Sequence, residues 1–96
     1  MKAYLVLDLA IHDLEAFGEY IAGVPVFIKK HLGRYIVQGA QPATMEGDWA
    51  PERMVIIEFP ARENAEAFLS DPDFQDLTKV RHNTTTGNLI LVDGCS

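Results

Sequence analysis

The run RMVIIEF at residues 53–59 decides the fold, because it is the clearest β-strand pattern in the chain. It is rich in β-branched and aromatic residues, and the proline that follows it ends the pattern. Side chains alternate between the two sides of a strand, and the two sides of this run differ. One side is nearly all apolar and carries Val55, Ile57 and Phe59. The other side adds a carboxylate to its apolar residues and carries Met54, Ile56 and Glu58.

Other segments on either side of this run show strand or helix patterns. The first helix has apolar residues at helical spacing and Asp13 as its predicted N-cap, and Pro25 within it predicts a kink or a helix in two pieces. In chain order, we predict a strand at residues 2–9, a helix at 13–31, a strand at 34–40, a loop at 41–52, the strand at 53–59, a short helix at 63–69, a helix from 71 to about 85 and a strand at 88–92.

The order β-α-β-β-α-β predicts an α+β fold, the ferredoxin-like split βαβ sandwich with a four-stranded antiparallel sheet. We expect the first and third strands in the centre of the sheet and the second and fourth at its edges, since the first and third are the most apolar. A length of 96 residues predicts a single domain over residues 1–96.

The composition limits the partners of the chain. Eight Lys and Arg against 14 Asp and Glu give a formal charge of −6, which argues against binding to nucleic acid or to an anionic membrane. The lone Cys95 cannot form an internal disulfide, and no apolar run approaches the length of a membrane helix. We therefore expect a cytoplasmic protein.

The second side of the sheet is the place where chemistry is expected. It mixes aliphatic residues with polar ones, namely Tyr4, Asp8, Arg34, Gln38 and Glu58. Its aliphatic residues are too many to leave to water as one patch, so we expect the same side of a second subunit to cover it. The chain is thus predicted to form a homodimer with a space between the two sheets.

Glu58 has two interpretations that the sequence leaves open. It forms a structural ion pair with an arginine, or it binds and polarises a small ligand in the space between the sheets. Under the second interpretation Glu58 or His12 moves a proton as the catalytic group, and Arg34, Arg53 and Arg81 position a carboxylate or enolate.

The remaining candidates carry weaker signals. Tyr4, Gln38 and Trp49 complete the set of predicted ligand-binding residues, although Tyr4 also fits simple packing and Trp49 also fits an anchor for its loop. The three histidines lack the spacing of metal ligands, and no glycine-rich phosphate loop or nucleophile motif is present. The sequence therefore predicts neither a metal site nor a cofactor.

The chain resembles the domain of unknown function DUF1330, in the dimeric α/β barrel superfamily. The resemblance rests on the residues Gly33-Arg34-Tyr35, Glu46-Gly47-Asp48-Trp49, Val55-Ile56-Ile57-Glu58-Phe59-Pro60, Phe74-Gln75 and Arg81. It implies a ferredoxin-like homodimeric α/β barrel whose two sheets face each other around a central space. It implies no particular activity.

Two functional hypotheses follow. In the first, the homodimer binds a small organic ligand between its sheets and acts on it as an enzyme without a cofactor. In the second, it is a non-catalytic ligand-binding or regulatory dimer in which Glu58 and Arg34 form a structural pair.

Overall fold

The computed structural model describes residues 1–95, which form one sheet with its helices on one side. Its elements are β1 at Ala3–Ile11, α1 at Leu14–Lys30, β2 at Arg34–Ala40, β3 at Arg53–Phe59, α2 at Arg62–Ser70, a 3-10 turn at Pro72–Phe74, α3 at Gln75–Thr84 and β4 at Thr85–Asp93.

The sheet has the predicted topology. Its strand order is β2-β3-β1-β4, and every neighbouring pair is antiparallel, so β1 and β3 are the central strands. This arrangement confirms the ferredoxin-like α+β fold. None of the helices within residues 1–95 combines the length and apolar character that a membrane crossing needs.

The core lies between the sheet and the helices, on the side that the alternation predicts. The sheet contributes Leu5, Leu9, Ile57 and Phe59, and α1 contributes Phe17, Tyr20, Val24 and Ile28. Phe68 of α2 and Phe74 of the 3-10 turn stack beside them, with 4.6 Å between their ring centroids. Burying one such side chain stabilises the fold by about 1.5–3 kcal/mol, so this layer sets the position of the helices.

Several elements differ from the predicted ones, for example β1 ends at Ile11 rather than at residue 9, and two of the differences have a clear physical reason. α1 continues through Pro25 as one helix, because proline removes a single hydrogen bond while Val24 and Ile28, on either side of it, are buried in the core. β4 begins at Thr85 rather than at residue 88, so the expected helix end belongs to the strand. Gly87 permits this extension, because a Cβ there would collide with the backbone carbonyl oxygen of Asp8.

Two irregularities in the pairing of β2 with β3 change the side on which β2 residues lie. The register shifts between Tyr35 and Val37 and again between Gln38 and Ala40. Gly39 takes a φ of +88° at the second shift, a conformation that glycine adopts at little cost. As a result Gln38 is paired with Val55, on the helix side, and not on the second side where simple alternation would place it.

A buried carboxylate joins the C-terminal end of α1 to the turn before α3. Asp71 is 5% exposed, and its Oδ2 lies 2.7 Å from Nζ of Lys30 and 2.8 Å from Nε2 of His31. Its Oδ1 accepts a hydrogen bond from the backbone N–H of Asp73. The hydrogen bonds from Lys30, which has the largest effect, and from His31 hold the pKa of the Asp71 carboxyl well below its usual range.

We predict that Asp71 makes the fold sensitive to acid. The unfolded chain takes up a proton at Asp71 near the ordinary pKa of 3.8, whereas the folded chain resists it. The stabilisation is therefore fully present at neutral pH and decreases as the pH falls through about 4. Asp71→Asn should lower the melting temperature at pH 7 and show a smaller difference from the unaltered protein at pH 3, measured by circular dichroism. Asp76→Asn is the matched control on α3, and an equal effect of both variants would contradict the prediction.

Candidate functional site

The sheet separates the predicted site residues into two groups. Tyr4, Arg34 and Glu58 lie on the side that no helix covers, which we call the open side. Trp49 contacts the same side through Asp8. Gln38, Arg53 and Arg81 lie on the helix side, so they cannot line the same space as Glu58 within one subunit.

On the open side, Glu58 is the centre of a cluster that the strand register builds. Arg34, Glu58 and Tyr4 are direct cross-strand neighbours on β2, β3 and β1. Oε1 of Glu58 lies 3.2 Å from Nε of Arg34 and 3.4 Å from Nζ of Lys2, and its Oε2 accepts a hydrogen bond of 3.3 Å from the Tyr4 hydroxyl. Every partner is therefore a donor from the same chain.

These donors determine the charge of Glu58. The hydrogen bond from Arg34 is the largest influence, and together with Lys2 it holds the pKa of the Glu58 carboxyl below its usual range, against the opposing effect of desolvation. A carboxylate with a lowered pKa is a weak base and carries no proton at neutral pH. General acid catalysis needs a carboxyl group whose pKa is raised. The cluster therefore favours a structural or binding role for Glu58.

The loop between β2 and β3 is fixed to the open side by its tryptophan. Nε1 of Trp49 donates a hydrogen bond of 2.8 Å to Oδ2 of Asp8, and the hydroxyl of Thr44 donates to the backbone carbonyl of Trp49. Trp49 as a residue nevertheless stays 62% exposed. Trp49 therefore anchors its loop and leaves much of its surface accessible on the open side.

Between the Glu58 cluster and Asp8, the open side is apolar. Ile90 and Val92 of β4 are 59% and 46% exposed, and they are the cross-strand neighbours of Val6 and Tyr4. Val6 in turn is paired with Ile56 of β3, and both are half-buried. The aliphatic residues thus form a continuous band across three strands, of the kind that marks an interaction surface.

On the helix side, a cavity of about 230 Å³ lies between α1 and the sheet. Its interior is largely aliphatic and aromatic, and its polar groups are Tyr20, Tyr35, Gln38 and Arg53. Gln38 reaches it because of the register shift between Tyr35 and Val37, and Arg53 because it is paired with Leu9 of the core side. Burial raises the pKa of the Tyr35 hydroxyl to about 12, so this group keeps its proton at neutral pH and remains a donor.

Arg81 is the most buried of the predicted site residues, at 7% exposure. Its Nη1 donates a hydrogen bond of 3.3 Å to the Tyr20 hydroxyl, and its guanidinium carbon lies 5.7 Å from the centroid of the Tyr20 ring. The sequence leaves open whether Arg81 is a surface charge or reaches a carboxylate at the end of the sheet. The packing of α3 on α1 buries it instead, and within residues 1–95 it forms no ion pair with a carboxylate.

The two catalytic candidates do not meet within one chain. His12 follows the end of β1, where its ring is hydrogen-bonded to the hydroxyl of Thr86. Glu58 is paired with Tyr4 near the other end of β1. Seven residues separate Tyr4 from Ile11, which corresponds to roughly 23 Å along the strand. The pair therefore cannot act on one bond in one subunit. Within residues 1–95, no group of three or more His, Cys, Asp or Glu side chains could hold a metal ion.

Sequence reasoning missed several groups that the structure brings to these sites. Tyr20 and Tyr35 were not among the predicted site residues, although both line the helix-side cavity. Lys2 precedes β1 and gave no signal for its contact with Glu58. The one available clue to the Glu58 cluster was the predicted order of the strands. That order makes Tyr4 and Arg34 neighbours of Glu58 once the register is known.

Comparisons with known proteins agree with this fold. The family described as "Domain of unknown function (DUF1330)" matches residues 2–95. A comparison with curated proteins gave no match. Among solved structures, a protein of unknown function from Rhodopseudomonas palustris is similar, with a TM-score of 0.81, 16% identity, and coverage of 99% of this chain and 83% of that chain.

Two further structures share the fold at low identity. A dimeric ferredoxin-like protein of unknown function from a Jannaschia species has a TM-score of 0.71 and 10% identity, covering 98% of this chain and 100% of that chain. SnoaB, a cofactor-independent oxygenase from Streptomyces nogalater, has a TM-score of 0.68 and 14% identity, covering 99% and 94%. At these identities the likeness concerns the fold alone.

We predict that Glu58 and Arg34 stabilise the fold as a pair. Glu58→Gln and Arg34→Met should each lower the melting temperature by a few degrees at most, because the pair is partly solvated. The double variant should lose less than the sum of the two single losses, since the second substitution removes a contact already broken. Differential scanning calorimetry measures all three. Strictly additive losses would show that the two side chains are not coupled.

Proposed function

We propose that this chain, which belongs to the DUF1330 family of domains of unknown function, acts as a homodimer that binds a small organic ligand. The open sides of two copies pack against each other, and each copy holds a ligand in its helix-side cavity. The observation that carries the proposal is the division of the sheet into an exposed apolar side and a helix-covered side with an internal cavity.

The open side supports the dimer by its size and composition. The molecule is a slab with Cα extents of 33 × 31 × 16 Å, and the open side is one of its two broad sides. A surface of that size exceeds the roughly 800 Å² per partner that a standard interface buries. A second copy is the simplest occupant, because a two-fold axis brings the same apolar band together with itself. The dimeric ferredoxin-like protein from Jannaschia provides a precedent for this fold.

We predict that introducing one charge into the apolar band of the open side dissociates the dimer into monomers. Ile90→Lys places an ammonium in the apolar band of the proposed interface, where it would be buried without a partner. Analytical ultracentrifugation at micromolar concentration should give a dimer for the unaltered protein and a monomer for the variant. Val26→Lys is the matched control, because Val26 is 69% exposed on α1, on the helix side. A monomeric unaltered protein, or equal dissociation of both variants, would overturn the dimer.

The helix-side cavity supports the ligand site better than the space between the sheets. An apolar cavity with a few polar groups at its edge is the usual form of a small-molecule site. At about 230 Å³ it has room for about eight water molecules, or for a ligand with a similar number of non-hydrogen atoms. The Glu58 cluster, by contrast, already has its donors within the chain, so we assign it a structural role at the dimer interface.

Catalysis without a cofactor is the second candidate function. SnoaB, which shares the fold, is a cofactor-independent oxygenase. In this chain, Arg53 and the Tyr35 hydroxyl at the cavity would stabilise negative charge on a bound enolate, and neither requires a metal or a cofactor. A binding protein would instead release its ligand chemically unchanged.

We predict that the ligand copurifies and depends on Arg53. Native mass spectrometry of the protein purified without additives should show an added small mass, which denaturation releases. Arg53→Met should remove that mass while the melting temperature changes by no more than a few degrees, because Arg53 is exposed at the edge of the cavity. Arg62→Met on α2 is the control for loss of one positive charge.

The same experiment decides between the two functions. A released molecule that keeps its mass after incubation with the protein in air indicates binding alone, and a changed mass indicates turnover. If the unaltered protein carries no added mass, or if Arg62→Met loses it as completely as Arg53→Met, the helix-side ligand site is wrong.

A further inference from the structure

A second cavity on the helix side adjoins the buried arginine. It measures about 320 Å³ and lies between α3, β1 and β4. Arg81 and His82 line it together with the first residues of β4, and Leu7, Leu9 and Leu89 form its apolar part. We call it the Arg81 cleft. It is distinct from the cavity under α1, although Leu7 and Leu9 contribute to both.

Arg81 lacks an anionic partner among the described residues. Within residues 1–95, no carboxylate lies within 4.0 Å of its guanidinium. Its hydrogen-bond partners there are neutral or basic, namely the Tyr20 hydroxyl at 3.3 Å and the His82 ring at 3.4 Å. A guanidinium has five N–H donors, and these two contacts use only part of that capacity. No fully buried side-chain nitrogen of the described residues lacks a hydrogen-bond partner, so the unused N–H groups of Arg81 are accessible to solvent.

A buried positive charge without a counterion is costly to the fold. Removing a charged group from water is unfavourable unless an opposite charge or a full set of hydrogen bonds compensates it. The chain has 14 carboxylates and a net charge of −6, yet none of those in the described part reaches Arg81. A group of this kind in a cleft marks a place where an external anion would be bound.

We propose that the Arg81 cleft binds the carboxylate of a small organic acid. A single guanidinium matches a single carboxylate in charge, and its planar donors match the two oxygens in geometry. The leucines at the base of the cleft suit a short apolar body, which an inorganic anion lacks. A doubly charged phosphate would place its second charge against these leucines without a partner. The site goes beyond the proposed function, because it is a different cavity from the one under α1. Like that cavity, it lies within one subunit.

Nuclear magnetic resonance of the full chain tests the proposal with benzoate as the probe. Benzamide is the neutral analogue of the same shape, and inorganic phosphate is the anion without an apolar body. At constant ionic strength, benzoate should cause saturable shifts at the backbone amides of His82, Thr85 and Leu89. Arg81→Met should weaken this binding about tenfold or more, because a charge-assisted pair is lost. Arg62→Met, which removes a surface charge paired with Asp93, should leave it unchanged.

Each other outcome overturns the proposal. Benzamide binding as tightly as benzoate would show that the charge is not recognised, and tighter binding of phosphate would identify a site for inorganic anions. Shifts confined to residues around α1 and β2 would place the ligand in the other cavity and would support the proposed function instead. If Arg81→Met does not fold, the location of the shifts and the contrast between benzoate and benzamide in the unaltered protein decide the result. Because the cleft belongs to one subunit, the Ile90→Lys variant should bind benzoate as the unaltered protein does.

Discussion

All three helices pack against the side of the sheet that carries Leu5, Leu9 and Phe59, whereas the other side contacts the Trp49 loop and Lys2. This asymmetry follows from the alternation of side chains along the two central strands, because their core residues are all of one parity. It gives the two sides of the sheet different surroundings. On the covered side, cavities lie between the sheet and the helices. The open side is a broad exposed surface, which suits contact with another surface.

The elements and the sheet order were predictable because each rests on local patterns. The run at residues 53–59 alternates without interruption, and β3 has those bounds. The helix predicted from residue 71 begins as a 3-10 turn, and Asp71 caps that turn through the backbone N–H of Asp73. The apolar side of β1 and β3 faces the core as expected. These features depend on residues that are close in sequence or on the periodicity of apolar residues. Tertiary packing therefore changed few of the predicted elements.

The distribution of the site residues over the two sides could not be predicted in full. Gln38 changes sides because of register shifts in an edge strand, and nothing in RYIVQGA fixes where such a shift occurs. The position of Arg81 depends on how α3 packs against α1, which is a contact between residues 61 positions apart. The partners of Asp71 likewise come from the far end of α1. In each case the chemistry depends on a long-range contact, so the sequence supplied the residues but not their neighbours.

The hydrogen bond between Trp49 and Asp8 gives the molecule an internal optical reporter. The chain has one tryptophan, and its ring is exposed at the edge of the open side while its nitrogen is fixed to β1. Indole emission shifts to shorter wavelength when water is removed from around the ring, so the emission of this side chain would report, without any label, on the hydration of the open side. The fluorescence of the purified protein thus distinguishes a hydrated sheet from a covered one in dilute solution.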